Sequence, residues 1–218
     1  MVASGVFTTA NLTSYCSAED VLELLRAYDL SDWGSEEELT GRIAGLLGET
    51  RAAIDSAAGR DFLLHADETV HVDGTGTRVL LLGPLGLTPV VSVESVSVDG
   101  AELEADEWLL YPEETAIVLA ASSDLGSRFP EGRQNITIVL DWGYEQTPAD
   151  VRTAQAKLTA AELLARMTGE EGGVESVSVG DYSVSYGSAG RFAYSVRRLV
   201  AEANEVVARY RRLDFCAI

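Results

Sequence analysis

The spacing of apolar side chains changes twice along this chain of 218 residues. From Ser17 to Gly59 they recur every three or four positions, from about Thr69 to Tyr144 every second position, and from Thr147 onward every three or four again. A period near 3.6 buries one stripe of a helix, and a period of 2 buries one face of a strand. The pattern therefore predicts an α+β fold in which a β segment is inserted between two helical parts.

In the first helical part, "SAED" starts a helix at Ser17, with Asp20 placed to complete a capping box and acids near the positive end of the dipole. Val21, Leu24, Leu25 and Tyr28 then form one stripe. After a break at "LSDWG", Ser35 and three glutamates open a second helix that carries Leu39, Ile43, Leu46, Leu47 and Ile54. Gly59 is its expected C-cap.

The β segment reads as about six short strands, enough for a small sandwich or barrel. "TVHVDGTGTRVLLLG" suggests a strand, a glycine-rich hairpin turn and a second strand. "VVSVESVSVDGAEL" slips phase at Glu94-Ser95, the mark of a bulge, and turns at Asp99-Gly100. "WLLYPEETAIVLA" gives two strands about a Pro-Glu-Glu turn, and "NITIVLDWGY" sets Ile136, Ile138, Leu140 and Trp142 on one face.

Helix returns at "TPADVRTAQAKLTAAELLARM", with Thr147 as N-cap, Pro148 at the first position and a stripe through Val151, Ala154, Leu158 and Ala161. A final helix over about 189–213 carries Val196, Leu199, Val200, Ala203, Val206, Val207 and Tyr210. Between these helices lies "VESVSVGDYSVSYGSAGRF". Gly180-Asp181 suits a two-residue turn, pairing Val179 with Tyr182, Val177 with Val184 and Glu175 with Tyr186, with serines facing serines on the other side. An isolated hairpin is marginal in water. It must fold back on its own chain or, as the favoured expectation, be completed by another subunit or a partner protein through Val177, Val179, Gly180, Asp181, Tyr182, Val184 and Tyr186.

The expected architecture is a four-helix bundle core with an inserted small antiparallel β domain and a C-terminal β-hairpin before the last helix. Its boundaries are a helical body over 15–66 and 145–213, including the hairpin at 174–187, a β insertion over 67–144, and a tail over 214–218.

Thirty-five acidic residues face sixteen basic ones, a net charge of −19, and Lys157 is the single lysine. This excess disfavours nucleic acid as a general partner and repels itself unless salt screens it. Arginine in place of lysine, with many short acids, resembles the proteins of extremely halophilic archaea and their viruses. One segment runs against the trend. Between Ala189 and Arg212, six arginines stand against Glu202 and Glu205. They either neutralise the acidic first helices or contact an acidic partner surface or passing nucleic acid. On the second reading, Arg191, Phe192, Arg197, Arg198, Arg209, Tyr210, Arg211 and Arg212 form an interface with a partner protein or a neighbouring copy.

No catalytic constellation emerges. His65 and His71 have no metal-binding spacing, "DGTGT" lacks the lysine of a phosphate loop, and no nucleophile elbow occurs, so no enzyme, cofactor or metal is expected. No stretch is apolar enough for a membrane span, and the N-terminus lacks the features of a secretory signal. Cys16 and Cys216 are expected as free thiols in a reducing compartment, with a disulfide as the alternative.

Taken in order, "YCSAEDV", "AAGRDF", "VDGTGTRVLLLGPLGLTPVVSVESVSVDG", "DWGYEQTPADVRTAQAKLTAAEL" and "ESVSVGDYSVSY" resemble the head-tail connector (adaptor) proteins of tailed phages. With the acidic, lysine-poor composition, the chain looks like the adaptor of a tailed virus of halophilic archaea. The resemblance implies a virion protein of the neck, assembled in the host cytoplasm. About twelve copies would form a homo-oligomeric ring between the portal protein and the tail or neck proteins. Double-stranded DNA would pass through the lumen without sequence-specific binding. The large β insertion departs from the shortest members of that family. A different neck, tail-completion or capsid-associated protein is the alternative, followed by a halophilic ligand-binding protein or enzyme.

Overall fold

A computed structural model describes residues 14–30, 33–113, 115–168, 174–188 and 190–211. The chain divides into two units. One is helical and holds the described residues of Met1–Asp61 and Thr147–Arg212; the other is the β unit Phe62–Gln146. The mixed α+β composition is as expected, but the β part is larger than a small insertion, with seven strands in two sheets.

In the helical unit, α1 (Ala18–Leu25) starts at Ser17 with both arms of its capping box made. Asp20 N–H donates to Ser17 Oγ at 3.2 Å, and Ser17 N–H donates to the Asp20 carboxylate at 2.8 Å. These bonds, the backbone one foremost, hold the Asp20 carboxyl below its ordinary range. α2 (Glu36–Ala58) repeats the device with Ser35 and Glu38 and stops at Gly59, whose left-handed φ of 67° ends the helix.

α3 (Ala149–Thr168) begins where the Pro148 carbonyl accepts the Arg152 N–H, one residue later than the start expected from a Thr147 cap. It differs from the one-stripe expectation. From Ala154 to Ala165 every residue but Lys157 is buried, because α1, α2, α4 (Ala193–Tyr210) and the hairpin around Gly180-Asp181 all pack on it. The helices alone do not close this core; the hairpin is part of its wall. Small side chains at Ala154, Ala156, Ala160, Ala161 and Ala165 let these neighbours approach α3 from several sides.

The hairpin, β8 (Val174–Val179) and β9 (Tyr182–Gly187), has the register read from sequence, with Val179 opposite Tyr182, Val177 opposite Val184 and Glu175 opposite Tyr186. Its position differs from the favoured expectation. Val179, Val184 and Tyr186 are buried within their own chain, while Ser176, Ser178, Ser183 and Ser185 are exposed. The apolar face stabilises the helical unit directly by leaving water, so it is not held open for a partner.

At the turn, Gly180 takes a φ of 55°, and a Cβ added there would lie 2.7 Å from Ala57 Cβ on α2. Replacing Gly180 by valine is expected to strain the turn and lift it from α2, costing about 1–3 kcal/mol. Amide exchange across β8 and β9 would accelerate first; unchanged protection there would contradict the docking role.

In the β unit, β1 (Leu64–Gly74), β7 (Gly132–Gly143), β3 (Val90–Val98) and β4 (Ala101–Glu102) form a four-stranded antiparallel sheet in the order β1-β7-β3-β4. A second sheet is ordered β2-β6-β5, from β2 (Val79–Leu81), β6 (Ala116–Leu119) and β5 (Trp108–Tyr111). Leu80 and Ile117 of one sheet and Val96, Ile136 and Ile138 of the other belong to one buried cluster with Phe129.

The bulge expected at Glu94-Ser95 is present, and β1 bulges between His65 and Glu68. Asp141 on the central strand serves both neighbours. Its carboxylate accepts the Asp67 N–H in the β1 bulge at 2.9 Å and the Ser92 hydroxyl of β3 at 2.8 Å.

The expected hairpin at "DGTGT" is corrected by the pairing. β1 pairs with β7 while β2 pairs with β6, so this segment crosses from one sheet to the other. Asp73 and Gly74 are tied to β7 instead. The Asp73 carboxylate accepts the Gln134 N–H at 2.7 Å, and Gly74 N–H donates to the Asn135 side chain at 2.8 Å.

Candidate interaction surface

The outward face of α4 collects most of the arginines singled out in the sequence. The buried stripe of Val196, Leu199, Val200, Ala203 and Val207 fixes the helix against α3, which leaves Tyr194, Arg197, Arg198 and Ala201 on the opposite side. Tyr194 is 77% exposed and was not picked out from the sequence; its signal was its place off the apolar stripe, three and four residues before Arg197 and Arg198.

Each described arginine from 191 to 209 has an acidic partner in its own chain. Arg197 reaches the hairpin, where its guanidinium donates to Glu175 at 2.6 Å and to Tyr186 Oη at 3.1 Å, while the Tyr186 hydroxyl itself donates to Glu175 at 3.1 Å. The bond to Tyr186, followed by the Glu175 charge, raises the Arg197 pKa further. Arg198 pairs within α4 with Glu202 at 3.6 Å, Arg191 with Asp29 at 3.4 Å, and Arg209 with Asp150 at 3.3 Å. Of these partners only Asp29 follows the first helix; the others lie on the hairpin, α3 and α4. All four side chains remain more than half exposed, so these pairs are screened by solvent and open to exchange with a partner's acids.

Two of the predicted interface residues are used inside the chain. Phe192 is buried, meeting Tyr28 and Trp33 edge-on at 5.5 and 5.2 Å, and so belongs to the core. Tyr210 is half-buried and donates to Asp150 at 2.9 Å, pinning the end of α4 to the start of α3. Arg211 is exposed, and Arg212 lies outside the described residues, as does Cys216. In the hairpin, Tyr182 is half-buried with its pKa pushed up to about 12 by burial first and by Glu162 second. Gly180 and Asp181 are exposed at the tip, and Val177 is half-buried.

A polar latch inside the helical unit was also missed in the sequence. Gln155 on α3 is fully buried. Its side-chain oxygen accepts the N–H groups of Tyr15 and Cys16 at 2.6 and 3.0 Å and the Ser14 hydroxyl at 3.2 Å, and its amide nitrogen donates to the Leu47 carbonyl at 2.8 Å. Thr50 and Thr159 share a hydrogen bond of 2.8 Å beside it. Cys16, buried next to this latch, has its thiol pKa raised to about 11 by desolvation.

Among the described residues, no group of three or more His, Cys, Asp or Glu is arranged to hold a metal ion. His65 stacks on Trp142 with ring centroids 4.0 Å apart, and His71 meets the Thr137 hydroxyl at 3.0 Å. A shallow acidic depression of about 390 Å³ in the β unit is lined by Glu94, Glu102, Leu103, Glu104, Ala105 and Trp108. No described helix is long and apolar enough to cross a membrane.

The fold and this surface define an α+β protein whose clearest functional feature is a cationic helix face on an acidic chain. No protein-family profile and no curated protein matches the sequence. Among solved structures, the chain is similar to one from "Neck of empty GTA particle computed with C6 symmetry". The two share 18% identity over 94% of each chain, with a TM-score of 0.46.

Proposed function

We propose that the chain is a structural protein of the neck of a tailed, virus-like particle: an adaptor whose copies form a ring between the capsid's portal and the tail. One observation carries this reading. The phrases through which the sequence resembles the adaptor family coincide with the joints of the fold. "YCSAEDV" holds the Gln155 latch and the α1 capping box. "DWGYEQTPADV" leads from β7 into α3, and "ESVSVGDYSVSY" is the hairpin that closes the helical core.

The charge pattern supports it as well. The acidic surface offers passing DNA no attraction even where molar salt screens its repulsion, while the cationic face of α4 offers a neighbour or the portal a contact at short range. DNA would pass through the ring unread. The acidic, lysine-poor composition fits a host that accumulates molar salt, such as a halophilic archaeon. The test is where the copies sit in purified particles. About twelve copies confined to the junction of capsid and tail support the adaptor; copies spread over the capsid, or none, overturn it.

A further inference from the structure

The three-stranded sheet of the β unit is apolar on both faces. Its inward row, Leu80, Ile117 and Leu110, faces the core, while the outward rows place Val79 beside Val118 and Leu109, and Leu81 beside Ala116 and Tyr111. Leu81 is 54% exposed, Leu109 51%, Tyr111 43% and Val79 39%. No charged side chain interrupts these outward rows, although the unit as a whole has fifteen acidic residues against three arginines, a net charge of −12. Such side chains together expose on the order of 400 Å² of apolar surface, within the roughly 300–600 Å² of the largest patch on a typical monomer, which is often functional. That is about the apolar share of one side of a standard interface, roughly 800 Å² per partner and a little over half apolar.

We propose that this outward face of β2-β6-β5 receives the outward face of α4 from a second copy of the chain. This proposal rests on the ring reading and supplies its neighbour contact. Charges brought together at a contact are screened much less than distant ones, so charge selects the occupant even at molar salt. Two copies of the same sheet face would bring units of −12 together, whereas α4 presents Tyr194 and Ala201 between Arg197 and Arg198. An apolar centre with a cationic rim thus meets an apolar centre within an acidic unit. Dimensions agree: residues 194 to 201 rise about 10 Å along the helix, and three strands are about 10 Å across between their outer axes. Because the two faces differ and each copy carries both, the contact propagates from copy to copy, as a closed ring requires.

The test mixes two variants of the full chain. Leu81→Glu with Leu109→Glu removes the sheet face; Tyr194→Glu with Arg198→Glu removes the helix face. All four side chains are exposed, and circular dichroism checks that each variant folds. Arg197 is left in place because it also ties the hairpin to α4. In concentrated solution at molar salt, sedimentation is expected to show the natural sequence forming oligomers beyond the dimer. Each variant alone should stay monomeric, and an equimolar mixture should form dimers and nothing larger, since each mixed pair retains one intact contact. A natural sequence that stays monomeric, variants that assemble like it, or a mixture that stays monomeric while it assembles would each overturn the contact. The count and place of copies in particles tests the ring separately, so failure of this contact does not decide that question.

Discussion

Replacing Gln155 by alanine is expected to lower the thermal unfolding midpoint by roughly 10 °C, following a loss of about 3–5 kcal/mol. The size follows from what the side chain satisfies. Its oxygen accepts two backbone N–H groups, those of Tyr15 and Cys16, and its nitrogen donates to the Leu47 carbonyl, so one truncation orphans polar groups on two other segments. Alanine also leaves a cavity in a helix buried nearly all round. A second readout separates unlatching from general loss of stability. In a Cys216→Ser background, the buried Cys16 thiol, with its pKa near 11, should react slowly with a thiol reagent. In the Gln155→Ala chain it should react much faster at temperatures well below the midpoint. A variant with the same midpoint and the same Cys16 reactivity would show that the latch contributes little.

The second large effect is that of salt. The excess of nineteen negative charges has few internal counter-ions, and in the β unit three arginines face fifteen acids. The ion pairs present lie mostly at the surface, as with Arg191–Asp29 and Arg198–Glu202, and do little to offset a global repulsion. The Debye length falls from about 10 Å at 0.1 M to about 3 Å at 1 M, which removes that repulsion. The unfolding midpoint is therefore expected to climb steeply between dilute buffer and about 2 M potassium chloride, with part of the helix and strand signal lost at the dilute end. Circular dichroism and a midpoint that do not change over this range would contradict adaptation to high salt. Acid should not substitute for salt: hydrogen bonds hold the carboxyls of Asp20, Glu38, Glu107 and Glu202 below their ordinary range, and the stability they contribute is lost as pH falls through that lowered range.

What could be read from the sequence was local. Ser17 with Asp20, Ser35 with Glu38 and Gly59 marked helix ends because capping is written within a few residues. The hairpin register followed from Gly180-Asp181 and the alternation on either side, and the Asp99-Gly100 turn and the Glu94 bulge were legible in the same way.

What was missed depends on contacts distant in sequence. Whether the hairpin projects or docks is decided by Ala57, more than a hundred residues away on α2, where only a glycine lets the turn come close. "DGTGT" looks like a hairpin turn until β1 and β2 take partners in different sheets. Gln155 was not singled out, although its place four residues after Val151 and four before Thr159 was a signal. The outward apolar face of the second sheet was visible in "VLL" and "WLLY", which are apolar at every position instead of alternating. Such a run is apolar on both faces of the strand, and here Leu81 and Leu109 on the outward face remain about half exposed.

The candidate interface divides in the same manner. Composition pointed to α4, and its arginines do lie on the outward side, but the sequence could not separate Arg197, which ties α4 to the hairpin, from Arg198, whose one partner shown is on its own helix. Phe192 was grouped with them by proximity in the chain and belongs instead with Tyr28 and Trp33 in the core.

Averaged images of the neck in purified particles test the central claim most directly. The adaptor reading predicts one closed ring of this chain between portal and tail, about twelve copies around a DNA-wide channel. Particles whose neck density leaves no place for the chain, or in which it occurs in hundreds of copies over the capsid shell, would contradict it.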